Sequence, residues 1–141
     1  MFLEKIVNLV LKYRRVLLYL FFGVVTTLVN IISYKVCTNI FEINYLISNV
    51  IAWIIAVIVA YLTNKKYVFK VITKNLKEQI KEFITFILAR IVSLIVDMII
   101  MYLGVSILVI NDTIVKIISN IIIIILNYFF SKIFVFRNKR N

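Results

Sequence analysis

AYLTNKKYVFK at residues 60–70 and NYFFSKIFVFR at residues 127–137 have nearly the same sequence and are offset by 67 residues. Each segment ends a hydrophobic stretch that is long enough to cross a membrane. The same offset aligns Asn30 of the first hydrophobic stretch with Asp97 of the third. The pattern predicts one unit of two membrane spans that occurs twice in the chain.

The composition is that of a membrane protein. Of the 141 residues, 64% are hydrophobic, two are Gly and none is Pro, and the mean hydropathy is +1.08. This leaves too little polar surface to cover a water-soluble globule. Four stretches have the roughly 20 apolar residues that a span needs, at about 16–36, 45–64, 83–108 and 114–136. Backbone hydrogen bonds in lipid must close within the segment, which favours helices over strands.

We therefore predict an all-α membrane protein with four transmembrane helices, built as two repeated two-helix hairpins in one domain of residues 1–141. Repeat 1 covers about residues 16–69 and repeat 2 about residues 83–136. Residues 1–15 and 70–82 carry charged and apolar side chains at helical spacing. This spacing predicts two amphipathic interfacial helices.

The chain has a net charge of +11, and its basic residues are unevenly distributed along the sequence. Basic residues gather before the first span, in the central loop and at the C-terminus, whereas the other two connections contain only Lys35 and Lys116. The C-terminal group consists of Lys132, Arg137, Lys139 and Arg140. The positive-inside rule then predicts that both termini and the central loop are cytoplasmic. This distribution favours membrane lipid as the partner of the basic residues, and no nucleic acid is expected.

The first hydrophobic stretch lacks a small-residue cleavage site, so we expect it to remain as a span. The single Cys37 excludes an intramolecular disulfide, and no His or second Cys accompanies it. No cofactor and no metal site is predicted.

Polar residues inside the spans are the candidates for function, because an ionisable group at bilayer depth is costly and usually faces the protein interior. Arg90 and Asp97 lie roughly 10 Å and 20 Å from the cytoplasmic end of the third span, at about 1.5 Å per residue. Asn127 and Asn120 of the fourth span match these two depths, and Asn30 lies at the level of Asp97. Together they predict a polar track for a hydrophilic group. The alternative is packing alone, since polar contacts between membrane helices contribute about 0.6 kcal/mol on average.

Lys65 and Lys132 occupy the same place in the two repeats, and each precedes an aromatic-Val-Phe triplet. Aromatic side chains at headgroup level commonly anchor a protein in the interface. A fixed cation beside them also suits recognition of a lipid phosphate. Both interpretations remain open at this point.

Four segments resemble a known family. They are FFGVVTTLVN at 21–30, AYLTNKKYVF at 60–69, FITFILARIVSLIVD at 83–97 and KIISNIIIIILNYFFSKIFVF at 116–136. The chain resembles GtrA-like small membrane proteins, in particular the branch associated with teichoic-acid glycosylation in Gram-positive bacteria. The resemblance implies a multi-pass protein of the bacterial cytoplasmic membrane that carries an undecaprenyl-phosphate-linked sugar from the inner to the outer leaflet. It also implies a partner, the polyprenyl-phosphate glycosyltransferase that makes this lipid.

The resemblance places the family's motif positions on the second, third and fourth spans. These positions are Ala60, Asn64, Val68, Phe69, Phe86, Arg90, Lys116, Asn127 and Lys132. Tyr128 lies in the same C-terminal segment and is grouped with the packing residues. Ala60 and Asn30 depart from the Asn and Asp that many relatives have there, which implies a site weighted toward the third and fourth spans.

The resulting hypothesis assigns a role to each polar group. The phosphate is held near the inner face by Arg90, Lys65 and Lys132, and is received near the outer face by Lys116. Sugar hydroxyls are bound along the track by Asn127, Asn120, Asp97, Asn30 and Asn64. Four short helices enclose little volume, so we expect a homo-oligomer.

Three other functions remain as alternatives. A glycosyltransferase needs acidic side chains to act as a base or hold a metal, yet the predicted cytoplasmic loops contain only Glu4, Glu78 and Glu82, so an enzyme is not expected. A small multidrug exporter relies on a carboxylate in the first span, where this chain has Asn30. A non-transporting scaffold for the glycosyltransferase predicts that the central loop and termini matter more than the intramembrane residues.

Overall fold

The computed structural model describes residues 1–136, apart from the side chains of residues 45 and 46. The described chain is helical and contains no β-strand. Four helices are long and apolar enough to cross a membrane, which confirms the predicted all-α, four-span class. They are Arg14–Asn39, Ile47–Val68, Leu76–Ile107 and Asp112–Val135. The predicted basic C-terminal residues Arg137, Lys139 and Arg140 lie outside the described residues.

The chain divides into two compact units, Met1–Ile72 and the part that begins at Thr73. Unit 1 contains helix α1 (Phe2–Lys12), helix α2 (Arg14–Asn39) and helix α3 (Tyr45–Thr63), which continues into a π-helical turn, π1 (Asn64–Val68). α2 packs along α3. Every residue of α1 is exposed. Its position on a membrane surface stays a prediction.

Unit 2 contains helix α4 (Leu76–Met101), the π-helical turn π2 (Tyr102–Ile107), helix α5 (Asp112–Phe130) and the π-helical turn π3 (Ser131–Val135). α4 packs along α5. The predicted interfacial helix at 70–82 differs from what is observed, because residues 70–75 are not helical and α4 runs unbroken from Leu76. The Asn75 side chain caps α4 by accepting a hydrogen bond from the Lys77 N–H at 3.0 Å. No Gly or Pro interrupts the helix after that point.

The repeated sequence takes the same backbone form in each unit. α3 and α5 have 19 residues each, and π1 and π3 have five each, all offset by 67 residues. The N–H of Phe69 donates to the Asn64 carbonyl at 2.9 Å, and the N–H of Phe136 donates to the Ser131 carbonyl at 3.0 Å. The internal duplication stays a prediction, which this common geometry supports.

The connections before α3 and α5 also correspond. Glu42 and Val109, again 67 residues apart, have φ angles of 52° and 55°. The Ile43 N–H donates to the Cys37 carbonyl and the Ile110 N–H to the Gly104 carbonyl, both at 3.0 Å. This part of the chain reverses direction in the same way in both units.

Small side chains recur on one face of α3. Ser48, Ala52, Ala56 and Ala60 follow one another at four-residue spacing, Asn64 continues the series at the start of π1, and all five are buried. In the absence of water, membrane helices associate through close packing, which small residues permit. The corresponding face of α5 and π3 is buried at Val115, Ser119, Asn127 and Ser131.

Gly104 in π2 shows how close the two helices of unit 2 come. A Cβ atom placed on Gly104 would lie 2.6 Å from Cγ1 of Val115 on α5. Real Cβ contacts do not occur at that distance, so the backbone of π2 lies directly against Val115. By contrast, a Cβ atom on Gly23 of α2 would meet nothing within 4 Å.

We expect Gly104→Ala to lower the free energy of unfolding by about 1–3 kcal/mol, because the added methyl overpacks the contact with Val115. Gly23→Ala is the matched control, and removing a helical Gly there should be neutral or stabilising by up to about 1 kcal/mol. Unfolding followed by circular dichroism in detergent micelles measures both. Val115→Ala should restore part of the loss in Gly104→Ala. Equal stability of the two Gly variants would contradict the close approach.

Candidate functional site

An ion pair joins the two helices of unit 2 within their membrane-spanning segments. The Lys116 Nζ of α5 lies 2.9 Å from Oδ2 and 3.2 Å from Oδ1 of Asp97 on α4. The Ser119 hydroxyl donates a hydrogen bond to the Asp97 Oδ1. Because Asp97 is too short to reach water from this depth, pairing with a cation and a hydroxyl reduces the cost of placing its charge in lipid.

The start of α5 sets which residues face Asp97. The Asn111 side chain caps the helix by accepting from the Thr113 N–H at 2.9 Å. Lys116 and Ser119 are three residues apart, so they project from one face of the helix. Both contact Asp97, with side-chain exposures of 17% for Asp97 and 48% for Lys116. The carboxylate is therefore the less exposed partner, and the ammonium is the more accessible one.

The structure puts Ser119, and not Asn120, in hydrogen-bond contact with Asp97. Sequence reasoning set Asn120 opposite Asp97 by depth, but Asn120 is exposed and its neighbour Ser119 is fully buried. One residue along a helix turns the side chain by about 100°. Sequence reasoning also missed Ser119, although the signal was present. Ser119 corresponds to Ala52 in the four-residue series of small residues on α3.

Arg90 lies on α4 one turn after Phe86, and its guanidinium carbon is 4.8 Å from the centre of the Phe86 ring. Phe86 is buried and Arg90 is half-buried. A cation over an aromatic face is held electrostatically, most strongly where water is excluded. The Ser93 hydroxyl donates to the Arg90 carbonyl at 2.8 Å. Arg90 and Asp97 thus have different partners along the same helix.

Asn127 on α5 is buried, with 7% of its surface exposed, and its Oδ1 has no hydrogen-bond partner. A buried polar atom without a partner costs about 1–3 kcal/mol. Such an atom in a native protein calls for an explanation. One explanation is that Oδ1 accepts a hydrogen bond from a molecule that binds there. Asn127 is therefore a candidate ligand-binding residue.

Unit 1 contains a cavity of about 700 Å³ beside π1. Its lining residues are Leu62, Thr63, Lys65, Lys66, Tyr67, Lys70, Val71 and Ile72. Three of them are lysines and none is acidic. Tyr67 stacks on Phe22 with the ring centres 5.2 Å apart, and Lys70 adopts a positive φ of 49°. Positive φ is uncommon for a residue with a side chain, so the backbone here is held in a restricted form.

The remaining predicted residues divide by unit. In unit 1, Ala60, Asn64, Val68 and Phe69 are buried, whereas Asn30 and Lys65 are half-buried. The Lys65 ammonium donates to the Tyr61 hydroxyl at 3.5 Å. In unit 2, Lys132 and Tyr128 are half-buried. The joint action of Lys65 and Lys132 stays a prediction.

Comparison with known proteins gives a consistent result. The family model described as GtrA/DPMS, transmembrane domain, matches residues 18–136. The chain is 39% identical over 129 residues to the cell wall teichoic acid glycosylation protein GtcA of Listeria monocytogenes serovar 1/2a, covering 92% of this chain and 89% of that protein. It is 42% identical over 125 residues to the protein of the same name from Listeria innocua serovar 6a, covering 89% and 86%. No solved structure matches at a significant level.

Asp97→Asn and Lys116→Met should be energetically coupled. Each single variant leaves the remaining charge without its oppositely charged partner, so a double-mutant cycle is expected to give a coupling of about 0.5–2 kcal/mol in the free energy of unfolding. Asn120→Ala, on the exposed side of α5, should change stability by less than about 0.5 kcal/mol. Additive effects in the cycle, measured in detergent micelles, would mean that the ion pair does not hold α4 and α5 together.

Proposed function

The chain belongs to the GtrA/DPMS transmembrane domain family, and on that premise we propose that it moves a polyprenyl-phosphate-linked sugar across the membrane. The names of its relatives support a role in the glycosylation of cell-wall teichoic acid. The proposed substrate is an undecaprenyl-phosphate-linked monosaccharide. A glycosyltransferase on the cytoplasmic side makes this lipid, and a second one on the outer side uses it.

The physical problem in this transport is the headgroup. Its sugar hydroxyls and phosphate lose their water if they enter the hydrocarbon region, and an unpaired polar group there costs several kcal/mol. The prenyl tail can stay in lipid beside the helices throughout. The protein therefore has to supply polar partners for the headgroup alone, inside an otherwise apolar helix pair.

The observation that supports this function most is the unpaired Oδ1 of Asn127. This oxygen is a hydrogen-bond acceptor within a membrane-spanning segment, and a sugar hydroxyl would supply the donor that it lacks. Arg90 lies on the neighbouring helix and supplies a cation that is already partly dehydrated against Phe86. Guanidinium groups suit phosphate oxygens because they offer several donors in a fixed plane. Arg90 and Asn127 together match the two chemical parts of the headgroup.

The cavity beside π1 in unit 1, which three lysines line, suits the binding of the lipid when it enters the protein. Lys65, Lys66 and Lys70 provide cations for a phosphate, while Leu62 and Ile72 provide an apolar surface for the first carbons of the tail. By the positive-inside rule this end of the protein faces the cytoplasm, where the loaded lipid is made. We assign this cavity of unit 1 as the entry site. Net movement then follows the concentration gradient of the lipid-linked sugar.

We expect Arg90→Ala to reduce transport by at least about tenfold, because a charge-assisted hydrogen bond contributes about 1.5–3 kcal/mol and about 1.4 kcal/mol corresponds to tenfold. The assay reconstitutes the protein in liposomes with undecaprenyl-phosphate-linked sugar and follows its appearance in the opposite leaflet. Asn127→Ala should also reduce transport, and Asn120→Ala serves as the matched control. A folded wild-type protein that moves no lipid but binds the glycosyltransferase would favour a scaffold instead.

The entry site makes a separate prediction. Lys65→Gln combined with Lys70→Gln should raise the lipid concentration that gives half-maximal transport and leave the maximal rate nearly unchanged. The control is Lys5→Gln combined with Lys12→Gln, which removes the same charge from the exposed helix α1. If both double variants weaken transport equally, general attraction to anionic lipid explains the effect and the cavity does not.

A further inference from the structure

The Asp97–Lys116 pair occurs in only one of the two repeats. At the 67-residue offset, unit 1 has Asn30 in place of Asp97 and Asn49 in place of Lys116. Both partners are charged in unit 2 and both are neutral in unit 1. Ser119 likewise corresponds to Ala52, and Arg90 to Gly23. The shared framework therefore does not require the pair, which points to a function specific to unit 2.

Both carboxylate oxygens of Asp97 contact the Lys116 ammonium. They lie 2.9 Å and 3.2 Å from the Lys116 Nζ, so the carboxylate occupies the side of the ammonium that faces α4. The ammonium is the more accessible partner, with 48% of the side chain exposed against 17% for Asp97. A lysine stem has four rotatable carbons, so the ammonium can swing away while Asp97 stays in place.

A phosphate that binds Lys116 must compete with this carboxylate. One ammonium cannot neutralise two anions, and a carboxylate and a phosphate at the same cation repel each other. The hydroxyl of Ser119 matters here because it also donates to Asp97. When Lys116 turns to another anion, Asp97 keeps one hydrogen-bond donor and is not left alone in lipid.

We propose that Asp97 is an internal competitor for Lys116. The phosphate of the transported lipid displaces Asp97 from Lys116, and Asp97 then returns to Lys116 and expels that phosphate. This inference rests on the proposed function and adds the means of release. Lys116 without Asp97 would be a strong phosphate-binding residue from which the headgroup leaves slowly. Asp97 weakens binding and speeds departure, so it is a positioning residue rather than a direct ligand of the substrate.

The test separates binding from turnover. Asp97→Asn retains an acceptor for Ser119 and removes the charge, as in the Asn30 position of unit 1. We expect it to bind undecaprenyl phosphate about tenfold more tightly, which corresponds to about 1.4 kcal/mol, and to transport more slowly at saturation. Lys116→Met should bind more weakly. Asp97→Glu should restore much of the turnover, and Glu4→Gln on α1 is the charge-matched control.

A second measurement leaves the ion pair intact. The chain has two aspartates, Asp97 and Asp112, so Asp112→Asn leaves Asp97 as the only one. With 13C-labelled aspartate, the carboxyl signal of Asp97 should shift as undecaprenyl phosphate saturates the protein in nanodiscs. The shift should be absent with inorganic phosphate, which has no tail to reach this depth.

The outcomes separate the two proposals. If the wild-type protein binds and transports the lipid but Asp97→Asn binds no more tightly and the Asp97 signal does not move, the internal competitor is overturned and the transport function stands. If the wild-type protein neither binds nor transports the lipid, both proposals are overturned. Tighter binding with slower turnover in Asp97→Asn supports the competitor.

Discussion

Close approach of paired helices is the constraint on which this structure depends. Lipid gives two apolar helices no hydrophobic gain from association, so packing and polar contacts must hold them together. Small residues at every fourth position supply that approach on α3, and Gly104 against Val115 supplies it in unit 2. The consequence is chemical as well as structural. A side chain as short as Asp97 can meet Ser119 and Lys116 only because α4 and α5 lie so near each other.

The two units share a backbone framework but differ in the side chains that it carries. π1 and π3 correspond at the 67-residue offset, and so do the connections before α3 and α5 and most of the buried positions. On that common backbone, the buried face of α3 carries alanines at 52 and 60, whereas the buried face of α5 carries Ser119 and Asn127. Unit 1 instead has Lys65, Lys66 and Lys70 around the cavity beside π1. The proposed function rests on this difference, since unit 1 has the cationic cavity and unit 2 has polar side chains within its helix pair.

Sequence reasoning succeeded where a single physical quantity decides the outcome. The number of apolar residues sets the span count, and the need to satisfy the backbone in lipid sets the helical class. Depth alone does not determine the rotation of a side chain about the helix axis. Depth along a helix put Asn120 level with Asp97, but the neighbouring Ser119 faces it. The π-turns were equally out of reach, because the bonds to Asn64 and Ser131 from five residues later have no signature in residue type. The burial of Asn127 without a partner for Oδ1 depends on the packed structure as a whole.

The short connection before α5 bears on how the protein enters the membrane. Only residues 108–111 separate π2 from α5, so the last two spans follow each other closely in synthesis. A lone aspartate near the middle of a span opposes insertion by about 2.5–3.5 kcal/mol. Synthesis of the chain delivers Lys116 only 19 residues after Asp97. Insertion of the two spans as one helical hairpin therefore brings Asp97 into lipid together with its own neutralising charge.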